Sequence, residues 1–150
     1  MTAGNSSPLT DGAASVWVAT KAGLSRLPDG TPSARLVDFE ITSVDLRNEG
    51  LLMAPSYAIP RLFERHNLRY DDIDLWEIHE AFAAQVLANV AALQDQDWIT
   101  RKTGITRDFG AFRWDSVNPN GGSIAIGPYR LGGVFSINRG PDGRDQALVL

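Results

Sequence analysis

Residues 74–79 (DLWEIH), followed at once by apolar residues at Phe82, Val86, Val90 and Leu93, constrain the fold more than any other feature of the chain. The first run reads as a short strand. The second recurs at close to the helical period, so strand gives way to helix within a few residues. A strand that hands over directly to a helix is the building unit of α/β proteins. In open α/β sheets, ligand-binding groups gather at the carboxyl ends of strands, and a following helix offers free N–H groups and a positive dipole end. His79 and Glu80 occupy that junction. Gln85 and Asn89 fall on the opposite, polar side of the helix.

The same alternation runs through the rest of the chain. Residues 13–19 (AASVWVA) read as a strand, residues 20–27 as a helical turn or two, and Pro28-Asp29-Gly30 as a turn. Residues 34–42 predict a second strand. Residues 55–66 predict a helix with Ile59, Leu62 and Phe63 on one face and Arg61, Glu64 and Arg65 opposite. Pro55 suits its first position; Pro60 either falls in the early turns or bends the helix. Asn67 is its expected stop, and Tyr70-Asp71-Asp72 a connector. Residues 95–102 continue the helix that begins at Ala81. Asn118 to Gly122 form a Gly-rich turn before the small apolar piece Ser123 to Ile126. Strands are expected at residues 134–137, after Gly132-Gly133, and at 147–150, after the turn at 140–143. The order is α/β, without internal repeats.

The opening residues are turn formers, Thr2 to Pro8 and then Asp11-Gly12. That is expected of a chain that starts in the middle of a fold, and equally of a frayed tail. With 150 residues, 43% apolar and 21% charged, the composition is that of a soluble domain with one core. The net charge of −4 is spread over interspersed acids and bases, which argues against a nucleic-acid surface. No apolar run approaches a membrane span of ~20 residues, and the polar start does not read as a secretory signal, so the cytoplasm is the expected compartment.

Cysteine is absent. Disulfides, thiolate metal sites and cysteine nucleophiles are therefore excluded from this sequence, and no metal site is expected. Of the two histidines, His66 sits late in a charged helix and reads as a surface residue favouring the helix C-terminus. His79 has two readings: a core histidine satisfied by hydrogen bonds, or a site residue at a strand end. Asn120-Gly121-Gly122-Ser123 offers backbone N–H groups to an anion or is simply a tight turn; it lacks the Lys-Ser/Thr of a phosphate loop. Trp17, Trp76, Trp98 and Trp114 are scattered and read as packing residues.

Three segments, in order, resemble the thiolase family. Thr2-Ala3-Gly4-Asn5-Ser6-Ser7 with Asp11-Gly12-Ala13-Ala14 is similar to its TAGNAS…DGAA segment. Glu77-Ile78-His79-Glu80-Ala81-Phe82-Ala83 resembles its (N/H)EAFA motif, in the His form of the fatty-acid-oxidation complexes. Asn118-Pro119-Asn120-Gly121-Gly122-Ser123-Ile124-Ala125-Ile126-Gly127 resembles the NxNGGxIAxG lead-in to the family's GHP histidine. The resemblance runs over residues 1–127. It implies the layered αβαβα thiolase fold, here incomplete: residues 1–27 as the end of the N-terminal domain and 28–150 as a partial C-terminal domain, divergent over 128–150.

The chemistry that the resemblance implies is acyl transfer to coenzyme A, either thiolytic cleavage of a 3-ketoacyl-CoA or the reverse condensation. A cysteine thiolate takes the acyl group, a histidine removes its proton, and a second cysteine moves a proton on the second substrate. By resemblance His79 supports the oxyanion site, often through a water, Ser7 contacts the pantetheine of CoA and Phe82 lines the CoA-side pocket. Glu80, Asn118, Gly121 and Gly122 are structural supports. CoA enters as substrate rather than cofactor, and the expected partners are acyl-CoA, CoA and a thiolase subunit or second copy.

The pattern then departs. Pro128-Tyr129-Arg130 stands where the family has its catalytic histidine, and neither cysteine is present. Asn138 falls where the second cysteine would lie, if residues 134–137 and 147–149 are the family's last strands; the alternative is an unrelated tail from a frameshift after Gly127. The expectation is a truncated or degenerate thiolase, inactive alone. The competing readings are a non-catalytic CoA-binding or partner half, and an unrelated α/β protein with chance matches.

Overall fold

The computed structural model describes residues 1–11, 13, 15–126, 134–139 and 145–149. Its helices are α1 (Lys21–Leu24), α2 (Leu46–Glu49), α3 (Ala54–His66), α4 (Ala83–Leu93), α5 (Gln96–Thr103) and α6 (Ser123–Ile126). The strands β1 (Ala34–Phe39), β2 (Leu75–Ile78), β3 (Val134–Arg139) and β4 (Asp145–Val149) form one mixed sheet in the order β1-β4-β3-β2. β1 and β4 run parallel, while β3 pairs antiparallel with both β4 and β2. The expected α/β class is therefore found, as a partial sheet beside helices. The expected turns at 132–133 and 140–143, the Pro128-Tyr129-Arg130 segment, Gly127 and Leu150 lie outside the described residues.

The core forms where helix faces meet the sheet. α3 contributes Ile59, Leu62 and Phe63, β2 contributes Trp76 and Ile78, α4 contributes Val86, Val90 and Leu93, and β4 contributes Leu148. Trp76 is fully buried and stacks on Phe63 with ring centres 5.7 Å apart and planes 24° from parallel. Tyr70, Phe109 and Phe112 close around this pair at 5.0–6.4 Å. Such offset and edge-on aromatic contacts add to the area they bury. The Tyr70 hydroxyl donates to Leu93 C=O at 2.9 Å, and burial raises its pKa well above the ordinary value. Of the remaining tryptophans, Trp98 lies half-buried edge-on to Tyr57, whereas Trp17 and Trp114 are exposed.

Several sequence expectations are corrected. Residues 15–19 form no strand: Trp17 is 93% exposed, and no strand among the described residues lies alongside to pair with it. An apolar β-branched run becomes a strand only when a neighbour accepts its backbone hydrogen bonds. The strand expected to reach residue 42 ends at Phe39, although Glu40 N–H still donates to Val149 C=O. The helix expected from Ala81 starts at Ala83, because Phe82 takes an extended conformation as its cap. Residues 95–102 do not prolong it; Asp95 breaks the run and caps a new helix by accepting from Trp98 N–H at 2.9 Å. Pro60 falls inside α3, where its missing N–H leaves Ser56 C=O without its helical donor.

Asn89 is the largest departure. Instead of facing solvent it is 5% exposed and joins α4 to the start of α3. Its Oδ1 accepts from Ser56 N–H (3.1 Å) and the Ser56 hydroxyl (2.8 Å), and its Nδ2 donates to Leu52 C=O (2.9 Å) and Gln85 C=O (2.8 Å). The amide thus uses its full hydrogen-bonding capacity. His66 also differs from a free surface residue, since its Nε2 lies 2.8 Å from Asp38 Oδ2 at the end of β1. Arg65 joins the same carboxylate at 3.0 Å.

Asn89→Leu should destabilise the chain by about 2–3 kcal/mol, because it removes four hydrogen bonds at a buried position, takes the Nδ2 donor from Leu52 C=O and leaves the Ser56 N–H and hydroxyl sharing Met53 C=O alone; urea denaturation measures it, and a change below about 0.5 kcal/mol would contradict this account. The hydrogen bonds from His66 and Phe39 N–H, together with Arg65, hold the Asp38 carboxyl down at about 2. Since the folded value lies below the ordinary value near 4, the gain is fully present above that value and is lost as pH falls towards 2. Asp38→Asn should therefore cost at most about 1 kcal/mol at neutral pH, for a partly hydrated pair. In parallel acid titrations that difference should vanish between about pH 4 and 2.

Candidate functional site

The site is built where β2 ends. Asn118 has a left-handed backbone (φ 45°), which brings its side chain alongside the strand. Its N–H donates to Trp76 C=O at 2.8 Å. Its Oδ1 accepts from Ile78 N–H at 2.8 Å, and its Nδ2 donates to Ile78 C=O at 2.9 Å. The same Nδ2 donates to Glu80 Oε1 at 2.8 Å. Glu80 Oε2 in turn accepts from Ile124 N–H at 3.2 Å, at the start of α6.

Two glycines make this crossing possible. Gly121 holds φ 94° and donates its N–H to Asn118 C=O, closing the turn. Gly122 lies directly against the Glu80 carboxylate, where a Cβ would collide with both oxygens. Glu80, Asn118, Gly121 and Gly122 thus form one connected support.

His79 leaves β2 half-buried, with Nδ1 2.8 Å from the Ser123 hydroxyl oxygen. Its Nε2 has no partner among the described residues, which leaves one ring nitrogen to meet a ligand oxygen. Phe82 is half-buried and pairs in a short antiparallel bridge with Ser6; Ser7 N–H donates to Ala81 C=O at 3.0 Å. The turn before Ser7 is held by Thr2 N–H donating to Asn5 Oδ1 at 2.7 Å and by the Ser6 hydroxyl donating to Thr2 C=O at 2.8 Å.

All seven candidate site residues thus converge on the β2–α4 junction, though they are spread over more than a hundred positions of sequence. Ser123 belongs with them through its side chain, a role the sequence does not mark. Its signal was its place immediately after Gly121-Gly122 in a motif already noted. Asn138 lies on β3, opposite Gln146 of β4. A separate cleft of about 210 Å³ lies between β1, β4 and the end of α3, lined by Arg35, Val37, His66, Leu68, Gln146 and Leu148. Among the described residues no helix is long and apolar enough to cross a membrane.

Sequence comparison bears on what the junction belongs to. The family profile described as "Thiolase, C-terminal domain" matches residues 30–134. A 3-ketoacyl-CoA thiolase of Shewanella piezotolerans is 38% identical over 140 residues, covering 93% of this chain and 32% of that protein. A probable 3-ketoacyl-CoA thiolase of Caenorhabditis elegans is 38% identical over 136 residues, covering 89% of this chain and 30% of that protein. Among solved structures, the dimeric peroxisomal thiolase of Saccharomyces cerevisiae is 37% identical over 52% of this chain and 16% of that one, at a TM-score of 0.36. The chain spans about a third of the length of these curated relatives.

Gly122→Ala should displace Glu80 from Ile124 N–H and destabilise the chain by about 1–3 kcal/mol, as overpacking against a fixed group does. Thermal unfolding with an unchanged midpoint would contradict the close approach.

Proposed function

This chain belongs to the thiolase family through its C-terminal domain, and we propose on that premise that it carries the oxyanion-supporting and CoA-facing part of a 3-ketoacyl-CoA thiolase without its nucleophile or bases. The observation that carries the reading is His79, tied by Nδ1 to Ser123 at the end of β2 and without a partner at Nε2 among the described residues. A rigidly placed ring N–H can stabilise the oxygen charge that develops when a thioester is attacked, directly or through a water. Glu80, Asn118, Gly121 and Gly122 hold the ring's surroundings and do not touch substrate. Ser7 and Phe82, brought together by the bridge beside Ala81, form the wall that receives the pantetheine of CoA. The family match beginning at residue 30 supports residues 1–27 as the end of the preceding thiolase domain.

The family's acyl-enzyme route needs a thiolate nucleophile, and this sequence has no cysteine. It also has proline at position 128, where the family has its proton-accepting histidine. Loss of nucleophile and base together leaves only binding and electrostatic effects, which are smaller than the whole by orders of magnitude. CoA is the substrate of the family reaction and not a resident cofactor.

A second reading is favoured by exposed apolar side chains. Val16, Trp17 and Val18 stand in water, as do Leu36, Phe39 and Ile41 at the outer edge of the sheet. Surfaces of this kind are normally covered by other protein. The occupant proposed here is the cysteine-bearing N-terminal half of a thiolase, in the same polypeptide or supplied in trans.

The 150-residue chain should show no thiolysis of a 3-ketoacyl-CoA in the presence of CoA, and clear turnover by the purified chain would refute its inactivity. Co-expression with a cysteine-bearing N-terminal half should restore solubility or activity. A lone chain that is monomeric and has no affinity for CoA would end the partner reading.

A further inference from the structure

Resting on the oxyanion reading of His79, we propose that Ser123 is a positioning residue: its hydroxyl donates to His79 Nδ1 and holds the ring in the tautomer that carries its proton on Nε2. The two atoms lie 2.8 Å apart, a distance that serves either direction of donation. Burial decides between them. Ser123 is only 2% exposed, so water does not satisfy its hydroxyl hydrogen. His79 Nδ1 is the sole hydrogen-bond partner of Ser123 Oγ among the described residues. If Nδ1 carried the proton and donated to Ser123, the serine hydrogen would be buried with no acceptor among the described residues. If Ser123 donates to Nδ1, its hydrogen is used and only a lone pair on oxygen goes without a partner. An unmade buried donor is the more costly of the two.

The consequence falls on the far side of the ring. A neutral imidazole that accepts at Nδ1 must carry its hydrogen on Nε2, the nitrogen left free at the junction. A developing oxyanion needs a donor there, and the other tautomer would present a repelling lone pair. The serine is itself held firmly. Ile124 N–H is bound by Glu80, the neighbour of His79, and Ala125 N–H donates to Gly122 C=O. Consecutive residues 79 and 80 therefore grip consecutive residues 123 and 124, so tautomer and ring orientation are set by one crossing of two segments. The hydrogen bond made at one ring nitrogen sets which of the two carries the proton.

Two-bond ¹H–¹⁵N correlation spectra of the full 150-residue chain, recorded above the histidine titration range, test the assignment. The wild-type spectrum should show His79 with a single protonated nitrogen, Nε2. In Ser123→Ala the two ring nitrogens should move towards averaged shifts as both tautomers become populated, and Ser123→Thr should restore the wild-type pattern. Proton density on Nδ1 in the wild type, or an identical pattern in Ser123→Ala, would overturn the proposal. The wild-type spectrum decides the tautomer even if the alanine variant fails to fold. Isothermal titration with CoA separates this from the wider reading. CoA affinity lost from neither Ser7 nor Phe82 variants would count against the CoA-facing wall and leave the Ser123 assignment intact.

Discussion

The side-chain amide of Asn118 pairs with both backbone groups of Ile78 as a neighbouring strand would. Val117 already bridges Trp76 in parallel, and Asn118 N–H continues to Trp76 C=O. The amide therefore extends β2 by one more rung and then ends it, because its remaining hydrogen goes to Glu80. An amide is the only uncharged side chain with both donor and acceptor in a peptide's arrangement. Everything at the junction follows from that rung: the exit of His79, the placement of Glu80, and the turn that brings Ser123 beneath the imidazole.

A second amide does comparable work at the start of α3. Asn89 and Asn118 each reach backbone groups distant in sequence, and neither leaves a polar atom idle. The core these elements share holds the Phe63–Trp76 stack with its surrounding rings. Apolar burial supplies most of the driving force for such an arrangement. The two amides contribute direction, since an unsatisfied polar group in either place is penalised and alternative packings of α3, α4 and β2 are disfavoured.

How much was legible depended on whether the signal was local. The α3 face of Ile59, Leu62 and Phe63 is written at helical spacing and needs no partner to be read. So is the stop at Asn67, which adopts the left-handed cap its side chain tolerates. The strand expected over residues 13–19 is absent from residues 15–19 because strand formation is a property of two segments, and periodicity sees one. Asn89 failed for a related reason: an amide on a helix reads as solvent-facing unless Ser56 and Leu52 are known to lie opposite it. At the site, motif resemblance gathered His79, Glu80, Asn118 and the two glycines before any geometry. It passed over Ser123, whose importance lies in a contact spanning 44 residues.

By itself, then, the sequence determined the family, the α/β class, the strand-to-helix switch at His79 and the absence of a thiol nucleophile. These follow from residue type, order and spacing. Only the tertiary structure decided which groups touch. It turned Asn89 inward, left Trp17 exposed, set Gly122 against Glu80 and placed a buried hydroxyl behind His79. The physical reason is that hydrogen-bond satisfaction and steric exclusion are settled between segments, after the chain has crossed itself, where no local pattern records them.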